Sequence, residues 1–306
     1  MSSEKWTISQ IPNLEGKTII VTGGNSGLGY QEVKEFSKKG AEVIMACRSV
    51  KKGETAKAEI KSENPAAKIK VMQLDLSDLS SVKSFAAEFN KSYSQLNILI
   101  NNAGIMMTPY SKTKDGIELQ QGTNHFGHFA LTALVLNKLK ASTKSRVVNV
   151  SSLAHKQGKM DFGNLLYEGG KSYSPMSAYS RSKLENLLFT FELQRYFETN
   201  KIDCITTVAH PGVSDTNLFN GIVNKTIQKI FMPIFKAFVQ PASMGALPIM
   251  RAAVDESAKG ANFYGPDGFS QVKGYPKVVK ADNHAYKLDD AKKLWEFSEK
   301  ITGVKF

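Results

Sequence analysis

Short apolar, mostly β-branched runs alternate with longer helical stretches from residue 17 onward, and this alternation constrains the fold most. The predicted strands are 18–22, 42–47, 69–75, 98–101, 146–150, 204–208 and a short one near 262–264. Because the strands are apolar nearly throughout, we expect helices to cover both faces of the sheet. The sequence therefore predicts an α/β Rossmann fold, with a doubly wound parallel sheet of about seven strands. No internal repeat or low-complexity linker interrupts the 306 residues, which indicates a single domain.

The charge balance excludes few partners on its own. Forty Lys and Arg residues against 28 Asp and Glu give a net charge of +12, which suits nucleic acid, an anionic membrane surface or a phosphorylated ligand. The basic residues are scattered without interleaved aromatic residues, so we expect no nucleic-acid binding. Cys47 and Cys204 form no disulfide or metal-binding pattern, and no signal-like segment or membrane span is visible. These features predict a soluble chain in the cytoplasm.

A glycine turn follows the first predicted strand and precedes a helix. It comprises Gly23, Asn25, Ser26, Gly27, Leu28 and Gly29. Gly23 suits a tight turn, Gly27 a close approach of the backbone to a pyrophosphate, and Gly29 close packing of the helix on the strand. A glycine turn that binds nothing is the alternative, but the position between a strand and a helix favours a dinucleotide site.

The residues after the second and third strands bear on which dinucleotide binds. Arg48 stands where an acidic residue would contact a ribose 2′-hydroxyl, so a 2′-phosphate is favoured and NADP(H) is preferred over NAD(H). A solvated surface charge is the alternative for Arg48. Asp75 and Leu76 follow the third strand, where the carboxylate either accepts from an adenine amino group or caps the helix that begins near Asp78.

Further polar residues follow the fourth and fifth strands. Asn102, Ala103 and Gly104 come after the fourth strand, where the chain passes beside the dinucleotide, and Ser151 and Ser152 follow the fifth. His125 and His128 share a helix face, but no third ligand stands nearby, so no metal site is expected.

Tyr179 and Lys183 lie four residues apart on a predicted helix and therefore share one face. An ammonium group beside a phenol favours the phenolate, so we expect Lys183 to lower the pKa of Tyr179 toward neutrality. An incidental surface pair is the alternative. The glycine turn and the serine at the end of the fifth strand favour the chemical interpretation.

Together these residues resemble the classical short-chain dehydrogenases/reductases over about residues 16–265. The matching motifs are Thr22-Gly23-x3-Gly27-x-Gly29, Asp75-Leu76, Asn102-Ala103-Gly104, Asn124, Ser152, Tyr179-x3-Lys183 and Pro211-Gly212. The phrases NHFGHF, RVVNVSSLAH and YSRSKLENLLF look most like the retinol dehydrogenase-like branch. The resemblance implies hydride transfer between a nicotinamide and a small carbonyl or alcohol substrate. Related proteins often form homo-oligomers that pair through the helices after strands four and five.

The resemblance also implies roles for individual residues. Tyr179 would exchange the proton with the carbonyl oxygen, and Lys183 would hold the nicotinamide ribose and lower the tyrosine pKa. Ser152 would orient the carbonyl, whereas alternation along the strand directs Ser151 elsewhere. Asn124 would hold a water that links Lys183 to solvent. Cofactor contacts are also implied for Pro211, Gly212, Val213 and Thr216.

Three regions differ from the common pattern or carry no motif. Residues 158–174 lengthen the segment between Ser152 and Tyr179, and we expect them to form a flap at the site. Ser214 stands where an aliphatic residue commonly packs on the nicotinamide. Residues 213–240 correspond to the substrate lid, whose apolar side chains suit an apolar carbonyl compound, core packing or a peripheral membrane contact. The tail, 266–306, is expected to dock on the edge of the sheet.

Two other functions fit parts of the pattern. A nucleotide-sugar epimerase or dehydratase also uses Tyr-x3-Lys, but the glycine spacing and the lack of a larger C-terminal substrate domain weigh against it. A non-enzymatic NADP(H) sensor or scaffold would have no chemical need to keep Asn124, Ser152, Tyr179 and Lys183 together. The sequence therefore favours an NADP(H)-dependent oxidoreductase of an apolar aldehyde, ketone or retinoid-like compound.

Overall fold

The computed structural model describes residues 5–214 and 240–306. The strands of these residues form one sheet. They are β1 (Thr18–Thr22), β2 (Glu42–Cys47), β3 (Lys68–Gln73), β4 (Ile98–Asn101), β5 (Ser145–Val150), β6 (Cys204–Ala209), β7 (Phe263–Pro266) and β8 (Pro276–Val279). The strand order is β3-β2-β1-β4-β5-β6-β7-β8, and all neighbours pair in parallel except β7 and β8. The prediction of a doubly wound Rossmann sheet is confirmed.

Helices connect the strands and cover both faces of the sheet. They are α1 (Gly27–Lys38), α2 (Val50–Glu63), α3 (Leu79–Ser92), α4 (Leu119–Gln121), α5 (Gly127–Leu134), α6 (Leu136–Lys140), α7 (Pro175–Thr199), α8 (Ala242–Val254) and α9 (Leu288–Thr302). The side chains of β1 alternate between two buried clusters: Ile20 faces the layer of α3, α5 and α7, and Ile19 and Val21 face the layer of α1 and α8. Burial on both faces explains why the strands are apolar throughout.

The helix starts agree with local capping chemistry. Ser174 accepts a hydrogen bond from the Ser177 backbone N–H, and Pro175 occupies the first position of α7. Asp78 caps α3 through the N–H groups of Ser80 and Ser81. None of the helices in the described ranges is both long and apolar enough to cross a membrane.

The tail docks on the sheet as expected and contributes an element that the sequence did not predict. β8 pairs antiparallel with β7 at the edge, and α9 packs against α7 and α5. A cluster of aromatic side chains, including Trp295, Phe306 and Phe129, joins α9 to these helices. Pairing of two chains through α5 and α7 stays a prediction.

Candidate active site

A cleft of about 380 Å³ opens at the carboxyl ends of the central strands. Its walls include ten residues predicted to bind cofactor or carry the chemistry: Gly23, Ser26, Gly27, Leu28, Asn102, Ala103, Gly104, Tyr179, Lys183 and Pro211. Ile105, Met106, Thr108, Val150 and Ser151 complete the lining, and the sequence did not mark the first four. The parallel sheet therefore brings segments from four of its strand ends to one place.

Two positions of the glycine turn favour glycine, one for lack of space and one for its backbone conformation. A Cβ atom on Gly29 would lie 2.6 Å from the Gly23 carbonyl oxygen and 2.7 Å from Asn102 Nδ2. Gly23 has a φ of +67° and its N–H donates to the Ala46 carbonyl at 2.8 Å. The turn thus keeps its backbone at the surface of the cleft, as binding of a pyrophosphate requires.

Thr22, at the end of β1, ties the glycine turn to the loop after β4. Its Oγ1 accepts from the N–H groups of Asn102 and Ala103, both at 2.9 Å, and its carbonyl accepts from Asn102 Nδ2 at 2.9 Å. The same Oγ1 lies 2.9 Å from His128 Nε2, while His128 Nδ1 lies 3.0 Å from the Asn124 carbonyl oxygen. His128 is therefore occupied by structural contacts. The neighbouring His125 contacts Ser298 Oγ at 3.0 Å.

The residues predicted to contact the adenosine half lie outside the cleft lining. Arg48 is exposed at the end of β2, with no hydrogen-bonding or ionic partner among the described residues. Asp75 accepts from the N–H and hydroxyl of Ser77, so the capping alternative for Asp75 is wrong: the cap of α3 is Asp78. The Leu76 side chain is buried in the core, which leaves only its backbone for a cofactor contact.

Asn124 lies in a π-helical turn, Gly122–Phe126, between α4 and α5. Its Oδ1 accepts from the Ile105 N–H at 2.8 Å, and its Nδ2 donates to the Ile105 carbonyl and to Ser182 Oγ, both at 2.9 Å. Ser182 Oγ in turn donates to the Tyr179 carbonyl at 2.8 Å. Asn124 therefore connects the loop after β4 to the helix that carries Tyr179, and π-turns frequently mark such functional positions.

Tyr179 and Lys183 line the cleft, and Ser152 lies beside Tyr179. Lys183 Nζ lies 5.8 Å from the centre of the Tyr179 ring and donates to the Val150 carbonyl at 3.0 Å. Burial lowers the pKa of Lys183 to about 8. Burial also raises the pKa of Tyr179, against a smaller lowering by the hydrogen bond with Ser152. The expectation that Lys183 lowers this pKa toward neutrality is not met, because desolvation outweighs any benefit of the ammonium.

The two serines after β5 have different surroundings. Ser151 Oγ is buried and donates to the Lys183 carbonyl at 2.7 Å, so it fixes α7 rather than a ligand. Ser152 Oγ accepts from the Ala154 N–H at 3.2 Å, and its hydroxyl lies close enough to the Tyr179 phenol to lower the pKa of that phenol. Ser151 lines the cleft with its hydroxyl bound to α7, and the role of Ser152 as the reacting serine stays a prediction.

Pro211 and Gly212 form a turn after β6. Gly212 has a φ of +67°, and a Cβ there would lie 2.2 Å from the Val272 carbonyl oxygen. The Val213 N–H donates to that same oxygen at 2.8 Å. Ser214 Oγ donates to the Pro211 carbonyl at 2.8 Å, which stabilises the turn. Thr216 and most of the predicted lid, 213–240, lie outside the described residues.

The segment 158–174 is anchored, which corrects its prediction as a flap. Arg181 Nε donates to the Lys159 carbonyl at 3.0 Å, and its Nη1 donates to the carbonyls of Asn164 and Leu165. The Arg181 guanidinium also stacks 4.2 Å from the centre of the buried Tyr167 ring. Because the buried Arg181 donates to three backbone carbonyls of the segment, these residues are held against α7.

Comparisons with known proteins agree with this geometry. Residues 17–226 match the family model for short chain dehydrogenases. The chain belongs to the short chain dehydrogenase family. It is 40% identical to human retinol dehydrogenase 12 over 96% of this chain and 88% of that protein, and 38% identical to human retinol dehydrogenase 13 over 95% and 86%. A crystal structure of a protein from Mycobacterium Paratuberculosis superposes with a TM-score of 0.82, at 40% identity and 99% coverage of both chains.

These relatives place the chain in the retinol dehydrogenase-like branch of the family. Membership establishes an oxidoreductase that uses a nicotinamide cofactor and acts on CH–OH or C=O groups of small molecules. The residues that line the cleft fit such a cofactor, because the glycine turn exposes backbone N–H groups at the start of α1 and leaves room beside them.

Proposed function

We propose that the chain is an NADP(H)-dependent reductase of apolar carbonyl compounds, reversible as an alcohol dehydrogenase. The observation that carries this proposal is that Tyr179 and Lys183 line the same cleft as the glycine turn, with Ser152 beside Tyr179. When bound, the nicotinamide supplies a hydride to the carbonyl carbon.

Tyr179 donates the accompanying proton to the carbonyl oxygen, and Ser152 orients that oxygen by a hydrogen bond. The raised pKa of Tyr179 supports this direction, since the phenol stays protonated until it meets the developing oxyanion. Lys183, held by the Val150 carbonyl, binds the nicotinamide ribose and takes part in returning the proton to Tyr179. Asn124 fixes the loop after β4 against α7, so that these groups keep their spacing.

The preference for NADP(H) rests on Arg48. Its guanidinium is exposed at the carboxyl end of β2, beside the start of α2, with no acidic residue in the Cys47-Arg48-Ser49 stretch to bind a free 2′-hydroxyl. A guanidinium binds a phosphate with two parallel, charge-assisted hydrogen bonds, which suits the 2′-phosphate of NADP(H).

The preference for an apolar substrate rests on the cleft wall and on the relatives. Ile105, Met106 and Val150 contribute apolar side chains to the lining. Several relatives of 36–42% identity are named retinol dehydrogenases, which supports a retinoid-like aldehyde or ketone among the substrates. Both cysteines are free and buried, which supports the cytoplasm as the proposed compartment.

The test measures loss of reduced-nicotinamide absorbance with NADPH and with NADH, across carbonyl compounds from short ketones to retinal and long-chain aldehydes. We expect turnover to prefer NADPH and to rise with substrate apolarity. Tyr179→Phe is the blank: turnover should fall by about 10²- to 10⁴-fold, the usual contribution of a positioned proton donor, while NADPH binding is kept. Cofactor binding without turnover of any carbonyl would instead favour a non-enzymatic NADP(H)-binding protein.

A further inference from the structure

The C-terminal segment, 266–306, carries no motif of the family, yet its polar groups reach two loops of the active site. We propose that this segment is a positioning part of the active site and acts through two buried histidines, His155 and His210. The inference rests on the proposed function for its kinetic test. It gives the segment a role beyond closing the edge of the sheet.

His155 connects the segment to Ser152. The Asp282 backbone N–H donates to His155 Nε2 at 3.2 Å, so this nitrogen is an acceptor and the ring hydrogen lies on Nδ1. Nδ1 donates to the Ser152 carbonyl at 2.6 Å, and the His155 backbone N–H donates to the same oxygen at 3.1 Å. The peptide group that presents the Ser152 hydroxyl is therefore held by two hydrogen bonds from one residue.

His284 completes the hold on this loop. Its Nε2 donates to the His155 carbonyl at 2.9 Å, and its Nδ1 lies 2.6 Å from Asp282 Oδ1. The C-terminal segment thus donates two hydrogen bonds to His155, one from the Asp282 N–H to the ring and one from the His284 ring to the backbone carbonyl. Its own short helical turn, Asn283–Tyr286, keeps these two groups adjacent.

His210 connects the segment to the Pro211-Gly212 turn. The Gly212 N–H donates to His210 Nδ1 at 3.2 Å, so the ring hydrogen lies on Nε2, which donates to Gln271 Oε1 at 2.8 Å. Burial lowers the pKa of His210 to about 4, so the ring is neutral at neutral pH, as this pattern requires. Gly265 makes room for the ring, because a Cβ there would lie 2.2 Å from His210 Nε2.

The two histidines form one packed unit with Phe263 of β7. The Phe263 ring centre lies 5.6 Å from that of His155 and 5.2 Å from that of His210. The histidines hold opposite tautomers, each set by a backbone N–H donor on one side. The segment therefore sets the tautomer of His155 through the Asp282 N–H, and it accepts the Nε2 hydrogen of His210 through Gln271, while the Gly212 N–H of the cofactor turn contacts the other His210 nitrogen.

The first experiment tests whether the Asp282 N–H positions Ser152 through His155, and distinguishes this effect from a general loss of folded protein. Asp282→Pro removes the N–H donor at a residue whose φ of −68° suits proline, and Asp282→Ala is the matched control that keeps the donor. We expect Asp282→Pro and His155→Leu to lower kcat tenfold or more with the NADPH Kd within twofold of the original chain. Asp282→Ala should keep kcat within threefold, as should His155→Asn, whose amide replaces the Nδ1 donor.

Two outcomes of this experiment would contradict the proposal. Equal kcat in Asp282→Pro and Asp282→Ala would overturn the proposal that the Asp282 N–H positions Ser152 through His155. An NADPH Kd that rises in proportion to the fall of kcat would overturn it as well. If His155→Leu fails to fold, the comparison of Asp282→Pro with Asp282→Ala still tests the proposal, because both variants lack the carboxylate and only Asp282→Ala keeps the backbone N–H.

The second experiment addresses the turn. Gln271→Leu removes the acceptor of His210 Nε2, and Gln271→Glu keeps an acceptor oxygen. We expect the NADPH Kd to rise fivefold or more in Gln271→Leu, with kcat at saturating NADPH within twofold, and to stay within twofold in Gln271→Glu. An unchanged NADPH Kd in Gln271→Leu would overturn the proposal that Gln271 positions the Pro211-Gly212 turn through His210.

A readout that needs no turnover distinguishes failure of this inference from failure of the proposed function. Long-range ¹H–¹⁵N correlation spectra of the five histidines should show hydrogen on Nδ1 of His155 and on Nε2 of His210, with the His155 pattern lost in Asp282→Pro only. These tautomers without carbonyl turnover would reject the proposed function and keep the positioning role. Turnover with other tautomers would reject the positioning role.

Discussion

The two sides of the cleft are built by different means. On the nucleotide side, after β1, β2 and β3, the functional groups are glycine backbone, an exposed arginine and a half-buried aspartate whose side chain contacts the nearby Ser77. On the catalytic side, after β5 and β6, they are buried side chains with partners far along the chain, as in the contact of His155 with Asp282. Recognition of a phosphate needs exposed donors, whereas a reacting centre needs fixed, desolvated groups.

The difference shows in the buried titratable groups. Four of the five histidines, His125, His128, His155 and His210, are buried on the catalytic side or in the helix beside it, and burial lowers the pKa of each. The nucleotide side contains Glu32 of α1, fully buried with no hydrogen-bonding partner for either oxygen, and burial raises its pKa to about 8. The buried histidines and the buried carboxyls should therefore respond to pH in opposite directions.

The largest expected effect is a maximum of folding stability near pH 6. A histidine with a lowered pKa stabilises the fold above about pH 6.5, and this contribution is lost as the pH falls toward its folded pKa. A carboxyl with a raised pKa, Glu32 or Glu185, stabilises below about pH 4.5, and its contribution is lost as the pH rises to about 8. Each group changes the free energy of unfolding by up to about 1.4 kcal/mol per pH unit within its window.

Urea unfolding from pH 4.5 to pH 8 measures this profile. Between pH 4.5 and 6.5 the four histidines outnumber the three glutamates with a raised pKa, Glu32, Glu118 and Glu185, so stability should fall toward acid. Above pH 6.5 only the glutamates change the stability further. A profile that is flat, or that rises steadily to pH 8, would contradict the burial of these groups.

A smaller effect is expected for Gly29→Ala on the nucleotide side. The new Cβ would meet the Gly23 carbonyl oxygen at 2.6 Å, a backbone atom that cannot move without opening the turn. We expect a loss of about 1–3 kcal/mol of stability, the usual cost of forcing extra volume into a packed site, together with weaker NADPH binding. Gly163→Ala is the control, because its nearest neighbour is a side-chain oxygen at 3.4 Å. Equal melting temperatures and NADPH Kd values for the two variants would show that the turn is not closely packed.

The contrast between the two sides also explains what the sequence could predict. The strands 18–22, 42–47 and 98–101 are found where the pattern placed them, and the glycine turn and Tyr179-x3-Lys183 are local spacings that the fold brings together. β8 has four residues beginning with a proline, at an antiparallel edge, which is too short for a periodic signal. Its position became visible only through its pairing with β7.

Contacts between residues far apart along the chain could not be predicted from the sequence. His155 meets Asp282 and His284 across 127 and 129 residues, and no local spacing marks such a contact. The predicted lowering of the Tyr179 pKa was wrong for a related reason. The four-residue spacing places Lys183 nearby, but it does not indicate how deeply the pair is buried. The anchoring of 158–174 depends on Arg181, whose role the motif did not suggest.

The expected effect of Arg48→Ala is confined to cofactor choice. Loss of a charge-assisted contact costs about 1.5–3 kcal/mol, so we expect the NADPH Kd to rise by about 10- to 100-fold. The NADH Kd should change less than threefold, because NADH has no 2′-phosphate, and Lys51→Ala serves as a control for general loss of positive charge near α2. Fluorescence titration measures both constants. An equal rise for NADPH and NADH would remove the 2′-phosphate assignment.

The smallest effect is expected for Glu32→Gln at pH 4.5, where glutamine replaces a mostly neutral group of nearly the same shape, so stability should change by less than about 1 kcal/mol. As the pH rises toward the folded pKa of about 8, the original chain loses stability because its unfolded state releases the Glu32 proton first, so the variant should be the more stable of the two at pH 7 and by a larger margin at pH 8.5. Glu35→Gln, on the same helix, is the matched control. A difference between the two variants that does not grow from pH 7 to pH 8.5 would indicate that Glu32 is ionised at neutral pH and that the nucleotide side holds a buried charge.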